Sequence, residues 1–326
     1  MGTAMVLNRR TAALGGAAAL LAAGGAARAQ VVPDRPVRLI CPWTPGGTVD
    51  LYLRGAAPIV ARYLGQSLVV ENRGGASGSV GTAYLRNQRA DGSVIAGVTE
   101  VVYRISMVQP VGYDALNDFT FLAGTCTLVW GWAVRRDSPI RDLHDMVERA
   151  KARPESVSFA AGGTAANYPF GMKQLEHQTG ARFLFVPFSG GGDMINAAMS
   201  GNVDLVFDSL GAVAGMIEGG AMRLLAVATP ERVARYPDVP TARELGYDAQ
   251  YSLPTGFIAP RGIPAALAAA YERAFLAAAD DPEHAQLIQR LNLVPWKRDA
   301  RAYEAHVREL YRTLPPLLRE LGMLPA

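Results

Sequence analysis

Four stretches of this chain combine glycine with hydroxyl residues directly after a short apolar run. They are Pro42-Trp43-Thr44-Pro45-Gly46-Gly47-Thr48, Asn72-Arg73-Gly74-Gly75-Ala76-Ser77-Gly78, Ala161-Gly162-Gly163-Thr164 and Phe188-Ser189-Gly190-Gly191-Gly192. Where a parallel strand runs into a helix, the first turn offers backbone N–H groups without intrahelical partners. Glycine lets the chain approach a guest closely and take the dihedrals that turn several amides inward. Serine and threonine add donors. Such a junction holds an anion without a cationic side chain, and in open α/β sheets ligands bind at that edge. One loop of this kind needs no explanation beyond a tight turn; four in one chain point to anion binding.

The type of anion is narrowed by what the loops lack. None ends in Gly-Lys-Ser/Thr, so no Walker cradle is present, and the glycine spacing of Gly75, Gly78 and Gly81 does not fit the dinucleotide pattern. A carboxylate suits these short turns better than a phosphate chain, and no cofactor is expected. The four histidines, His144, His177, His284 and His306, all fall in helical stretches with no partner at metal-ligand spacing. There is no G-x-S-x-G elbow. A loop serine, Ser77 or Ser189, could still act as a nucleophile if folding brought a base to it, which leaves a secreted α/β enzyme as the competing reading.

The elements that must position these loops alternate along the chain. Strand candidates are Val37–Cys41, Leu68–Glu71, Val94–Val98, Val157–Ala160, Phe183–Pro187, Val203–Phe207, Leu224–Ala228 and Gly256–Ala259. Helical periodicity separates them, as at Val49–Leu64 and Ile140–Ala152, and the chain is helix-rich from about Pro264. This order implies an α/β protein with mostly parallel sheets. Residues 1–29 have the charged, apolar and small-residue regions of an export signal, ending in Ala27-Arg28-Ala29. Arg9 and Arg10 allow either a twin-arginine or a general secretory route. Taking Arg9, Arg10 and Arg28 from the 32 Lys and Arg leaves 29, equal to the 29 Asp and Glu. That balance speaks against nucleic acid as a partner. No later stretch has the length of a membrane span. Cys41 and Cys126 could pair in an oxidising compartment, or serve as buried small hydrophobes.

Pro42-Trp43-Thr44-Pro45-Gly46-Gly47-Thr48-Val49-Asp50 resembles the P-F-x-P-G-G-x-x-D signature of the Bug receptors, the extracytoplasmic solute receptors of tripartite tricarboxylate transporters. Val70-Glu71-Asn72-Arg73-Gly74-Gly75-Ala76-Ser77-Gly78, Val186-Pro187-Phe188-Ser189-Gly190, Gly201-Asn202-Val203-Asp204 and Pro237-Asp238-Val239-Pro240-Thr241 follow in register. The resemblance implies a two-lobed periplasmic-binding-protein fold with two crossovers and the ligand in the interlobe cleft. Residues 30–130 with 252–326 would form one lobe and residues 131–251 the other. By position, Thr44, Gly46, Gly47, Thr48, Ala76, Ser77 and Gly78 would meet the ligand from the first lobe. Gly163, Thr164, Ser189 and Gly190 would meet it from the second. Asp208 matches an acidic position near the cleft and could take a ligand amine or hydroxyl, or cap the next helix. Asp50 is expected to brace its loop, since a carboxylate there would repel an anion. Ser189 stands where the family commonly has Lys, and Trp43 where it has Phe. Trp43, Tyr168, Phe170 and Phe188 could line a pocket for a ring-bearing acid or simply pack the lobes. The expected protein is a periplasmic monomer that captures a small organic carboxylate for a membrane permease and catalyses nothing. A ligand-sensing adaptor for a signalling protein would have the same sequence features.

Overall fold

A computed structural model describes Gly2 and residues 32–162, 169–188 and 191–324. The export signal, apart from Gly2, and Gly163, Thr164, Tyr168, Ser189 and Gly190 lie outside the described residues. The first third contains β1 (Val37–Cys41), α1 (Thr48–Leu64), β2 (Leu68–Asn72), a 3-10 turn (Ala76–Gly78), α2 (Ser79–Arg86), β3 (Val94–Thr99) and α3 (Val101–Val108). Then come β4 (Phe119–Arg135), α4 (Leu143–Ala152), β5 (Ser158–Gly162), α5 (Phe170–Thr179), β6 (Leu184–Phe188) and α6 (Gly191–Met199). They are followed by β7 (Leu205–Ser209), α7 (Leu210–Glu218) and β8 (Met222–Val227). The chain returns through β9 (Ser252–Pro260), α8 (Ala265–Ala279), α9 (Pro282–Arg290), β10 (Leu293–Arg298) and α10 (Ala300–Glu320).

Local signals explain the element boundaries. In α1 the apolar residues Val49, Leu53, Ala56, Val60 and Leu64 form the buried face. Gly65, at φ 74°, ends that helix by donating its amide to the Ala61 carbonyl. Asp142 starts α4 by accepting from the Asp145 amide, and Asp281 and Asp299 start α9 and α10 in the same way.

Two parallel triples carry the loops. β1 pairs in parallel with β2 and β3, and β5 pairs in parallel with β6 and β7. Between the triples stand β9 and β4, antiparallel to each other and to their outer neighbours β3 and β7. The expectation of mostly parallel sheets therefore holds for each triple and fails at the centre. A chain that leaves one sheet and returns must cross the seam in opposite directions, so the seam strands run antiparallel. β4 belongs to both halves: it pairs with β9 and β10 up to Val129, and with β7 and β8 from Trp130 onward. Its middle is buried on both faces, with Trp132 wholly inaccessible.

Candidate functional site

Because β1, β2 and β3 run in parallel, their carboxyl ends release Pro42–Gly47, Arg73–Gly78 and Thr99–Glu100 along one edge. The carboxyl ends of β5, β6 and β7 share an edge of the other triple. The two edges meet. Thr48 Oγ1, at the start of α1, lies 3.0 Å from Ser209 Oγ, at the end of β7, and the contact is buried. A methyl group on Gly211 would come within 2.5 Å of the Leu291 carbonyl oxygen and 2.9 Å of Thr48 Cγ2. Only glycine fits this approach. Gly211→Ala is expected to force the edges apart, at a cost of about 1–3 kcal/mol from overpacking. Urea denaturation measures this, and an unchanged midpoint would show that the seam can give way.

The loops after β1 and β2 are tied to each other from below. Asp50 is 2% exposed and its carboxylate accepts from the Gly46 amide at 2.9 Å, Asn72 Nδ2 at 2.7 Å and Arg54 Nε at 3.0 Å. Asn72 also donates to the Trp43 carbonyl at 3.0 Å. Burial alone would raise the Asp50 pKa, but the Gly46 amide, Asn72 and Arg54 outweigh it and hold the group below its ordinary 3.8. Asp50 braces the loop, and the Gly46 amide is engaged by it rather than facing outward. Thr44, Pro45 and Gly46 are exposed, while Trp43 is half-buried and packs on the core. A Cβ on Gly74 would meet the Thr44 amide nitrogen and the Trp43 carbonyl carbon at 3.2 Å each, so the second loop lies directly on the first. Gly75, Ala76, Ser77 and Gly78 all have positive φ: 137°, 44°, 56° and 88°. For Ala76 and Ser77 this left-handed backbone costs roughly 1–2 kcal/mol each. Strain of that kind concentrates at ligand clamps.

Across the seam, Asp208 near the end of β7 is half-buried and pairs in register with Gly131. Burial pushes its carboxyl up to about 7, with the Ser209 amide at 2.6 Å pulling the other way. Arg104, on α3, is 3% exposed and donates through Nη2 to Tyr251 Oη at 2.7 Å. Its Cζ lies 5.0 Å from the Tyr251 ring centre and 5.7 Å from that of Phe170. Trp130 packs edge-on against the same tyrosine at 4.8 Å. Phe170 is buried in the main core, and Phe188 packs on the core behind β5 and β7. A hollow of about 480 Å³ lined by Glu155, His177, Arg182 and Phe183 opens at the amino ends of β5 and β6, away from the loops.

Residues 53–323 match the model of the tripartite tricarboxylate transporter family receptor. The chain belongs to that family. The receptor is similar to a Cupriavidus necator protein described as the UPF0065 protein in gbd 5'region, 29% identical over 92% of this chain and 91% of the relative. Its structure is similar to that of the periplasmic binding protein BugD, 25% identical with a TM-score of 0.80, over 90% of this chain and 99% of BugD. The R. palustris protein Rpa4515 with adipate, 24% identical over 90% of this chain and 99% of its own, shares the fold at a TM-score of 0.83. The two-lobed α/β fold of periplasmic binding proteins is thus the fold of this receptor, and its relatives are solute-binding proteins rather than enzymes.

The cluster of Arg104, Trp130 and Tyr251 was not legible in the sequence. The one signal for Arg104 was a lone cation in the apolar run Val101-Val102-Tyr103-Arg104-Ile105, directly after a strand. The histidines have other partners: His284 meets Tyr52 at 3.0 Å, His144 meets Tyr247 at 2.9 Å, His306 meets Glu100 at 3.3 Å and His177 meets Glu320 at 3.7 Å. Cys41 and Cys126 are free and buried, and burial pushes their thiols up to about 11 and about 12. Among the described residues no helix is long and apolar enough to cross a membrane.

Proposed function

We propose that the receptor captures a small organic carboxylate between its two strand edges and presents the closed form to a membrane permease. The observation that carries this reading is the meeting of the two edges through Thr48 and Ser209, beside a turn of consecutive left-handed residues. A guest held there touches residues 30–130 and 252–326 on one side and 131–251 on the other. Contacts available only when both sides meet favour the closed form, since a ligand shifts an equilibrium by its differential affinity. Backbone amides near Gly47, Thr48, Ala76 and Ser77, together with Gly163, Thr164, Ser189 and Gly190, are the proposed donors, whereas the Gly78 amide is engaged by the Gly75 carbonyl at 3.0 Å. The adipate in Rpa4515 supports an organic acid as the guest class. With residues 1–29 as an export signal, the working compartment is the periplasm.

A thermal-shift screen of dicarboxylates, tricarboxylates, amino acids and aromatic acids tests the proposal. A ligand at a hundred times its Kd stabilises the native state by about 2.7 kcal/mol, a rise of several degrees in Tm. If no acid in the panel moves the Tm, carboxylate capture is wrong.

A further inference from the structure

We propose that Arg104 is a specificity residue of the receptor. Its guanidinium, with the Trp130 indole N–H, receives a second acceptor group at the far end of the bound acid, so that dicarboxylates are selected over monocarboxylates. This rests on the carboxylate reading above and adds the residue that discriminates within it.

The argument begins with unmet hydrogen bonds. Arg104 Nε, Trp130 Nε1 and Thr99 Oγ1 are buried and find no partner among the described residues. Buried polar groups are nearly always bonded, and an unpaired buried donor costs free energy. Arg104 and Trp130 are neighbours. Arg104 Cζ and the Trp130 ring flank the same Tyr251 ring, at 5.0 and 4.8 Å. Thr99 closes β3, and Arg104 sits one turn beyond it, with its amide bonded to the Glu100 carbonyl.

Their location is the second observation. α3 packs on the Ala76–Gly78 turn: a Cβ on Gly78 would lie 3.1 Å from Val102 Cγ1. On the other side, Phe170 opens α5 and faces the guanidinium. Arg104 therefore stands between a loop of one strand edge and a helix of the other.

Charge is the third. Arg104 has no ion pair among the described residues. Glu100 and Asp208, whose charges reach the Tyr251 hydroxyl, are engaged elsewhere, by His306 at 3.3 Å and by the Ser209 amide. Two of the three unpaired atoms can only donate. The missing guest is rich in acceptors, and the planar guanidinium fork fits a carboxylate.

Calorimetric titration of the full chain with the series succinate to suberate and butyrate to octanoate tests this. Wild type is expected to bind at least one diacid roughly tenfold or more tighter than the monoacid of equal length. Arg104→Gln should weaken that diacid about tenfold to a hundredfold and leave monoacids within about twofold. Arg104→Lys should recover part of the loss. Trp130→Phe removes one donor without removing charge, and should weaken the diacid alone by about threefold to tenfold; it also covers the case in which the arginine variants do not fold. Equal binding of both series by wild type, or equal weakening of both by Arg104→Gln and Trp130→Phe, overturns the inference and leaves carboxylate capture standing. Binding of neither series by wild type overturns the dicarboxylate inference, and carboxylate capture falls with it only if the wider acid panel also leaves the Tm unmoved.

Discussion

Asp50→Ala is expected to destabilise the receptor by about 3 kcal/mol and to weaken ligand binding in the same variant. The carboxylate is buried and accepts from the Gly46 amide, Asn72 Nδ2 and Arg54 Nε. Removing it breaks two hydrogen bonds to a charged acceptor, from the exposed Gly46 amide and the half-buried Asn72 side chain, at about 1.5–3 kcal/mol each before water replaces part of them. Arg54 is half exposed and recovers water, so its share is small. The loop would remain tied through Asn72 and the Trp43 carbonyl, and at its base through the Arg73 amide and the Cys41 carbonyl. Asp50→Asn is no rescue, because an amide nitrogen turned toward Gly46 sets donor against donor. The pH dependence has a definite sign. Asp50 is held below its ordinary 3.8 in the folded protein, so its contribution is fully present above pH 3.8 and is lost as pH falls through the lower folded value. Urea denaturation at pH 7 and at pH 3 should therefore separate wild type from Asp50→Ala more at pH 7. Equal stability of the two proteins at pH 7 would refute the bracing role.

That role was readable in the sequence because it follows from charge alone: an acid in the first turn of a helix cannot face an anionic guest placed there. Most strands were readable for a similar reason. Short apolar runs such as Val37–Cys41 and Leu68–Glu71 are bounded by glycine or proline and reappear within a residue or so as β1 and β2. β4 was not readable. Phe119–Arg135 is apolar almost without interruption because it is buried on both faces, so it shows no alternation to mark it as a strand. β10 was missed for the opposite reason: Leu293–Arg298 is mostly exposed and lies inside a helix-rich tail. The third junction of the first edge, Thr99–Glu100, carries no glycine, so the composition that exposed its neighbours was silent there. Arg104 and Trp130 become neighbours only because β9 and the segment before it return beside β3 and β4. Proximity created by a chain crossing has no trace in local sequence.

Asp208 gives the second large effect, with the opposite slope. Its folded pKa is raised by burial to about 7, against an ordinary 3.8, so the folded state binds the proton more tightly than the unfolded chain does. The stability this provides is fully present below pH 3.8 and is lost as pH rises through about 7. At about 1.4 kcal/mol per unit, a shift of this size sets a ceiling of roughly 4 kcal/mol, reduced by the water that reaches a half-buried group. The Tm of the ligand-free receptor should fall between pH 5 and pH 8, and Asp208→Asn should flatten that fall and raise the Tm at pH 8. The difference between wild type and Asp208→Asn is the quantity to follow. A Tm profile identical in the two proteins would show that Asp208 does not titrate in this range. The same group also reports on the guest. A second carboxylate placed near Arg104 adds negative charge close to Asp208, so binding should take up a proton and weaken as pH rises, and the dependence should vanish in Asp208→Asn. A guest bringing an ammonium group to Asp208 reverses that sign, because its charge favours the ionised acid. The direction of the pH dependence therefore separates a plain diacid from an amino acid before either is identified.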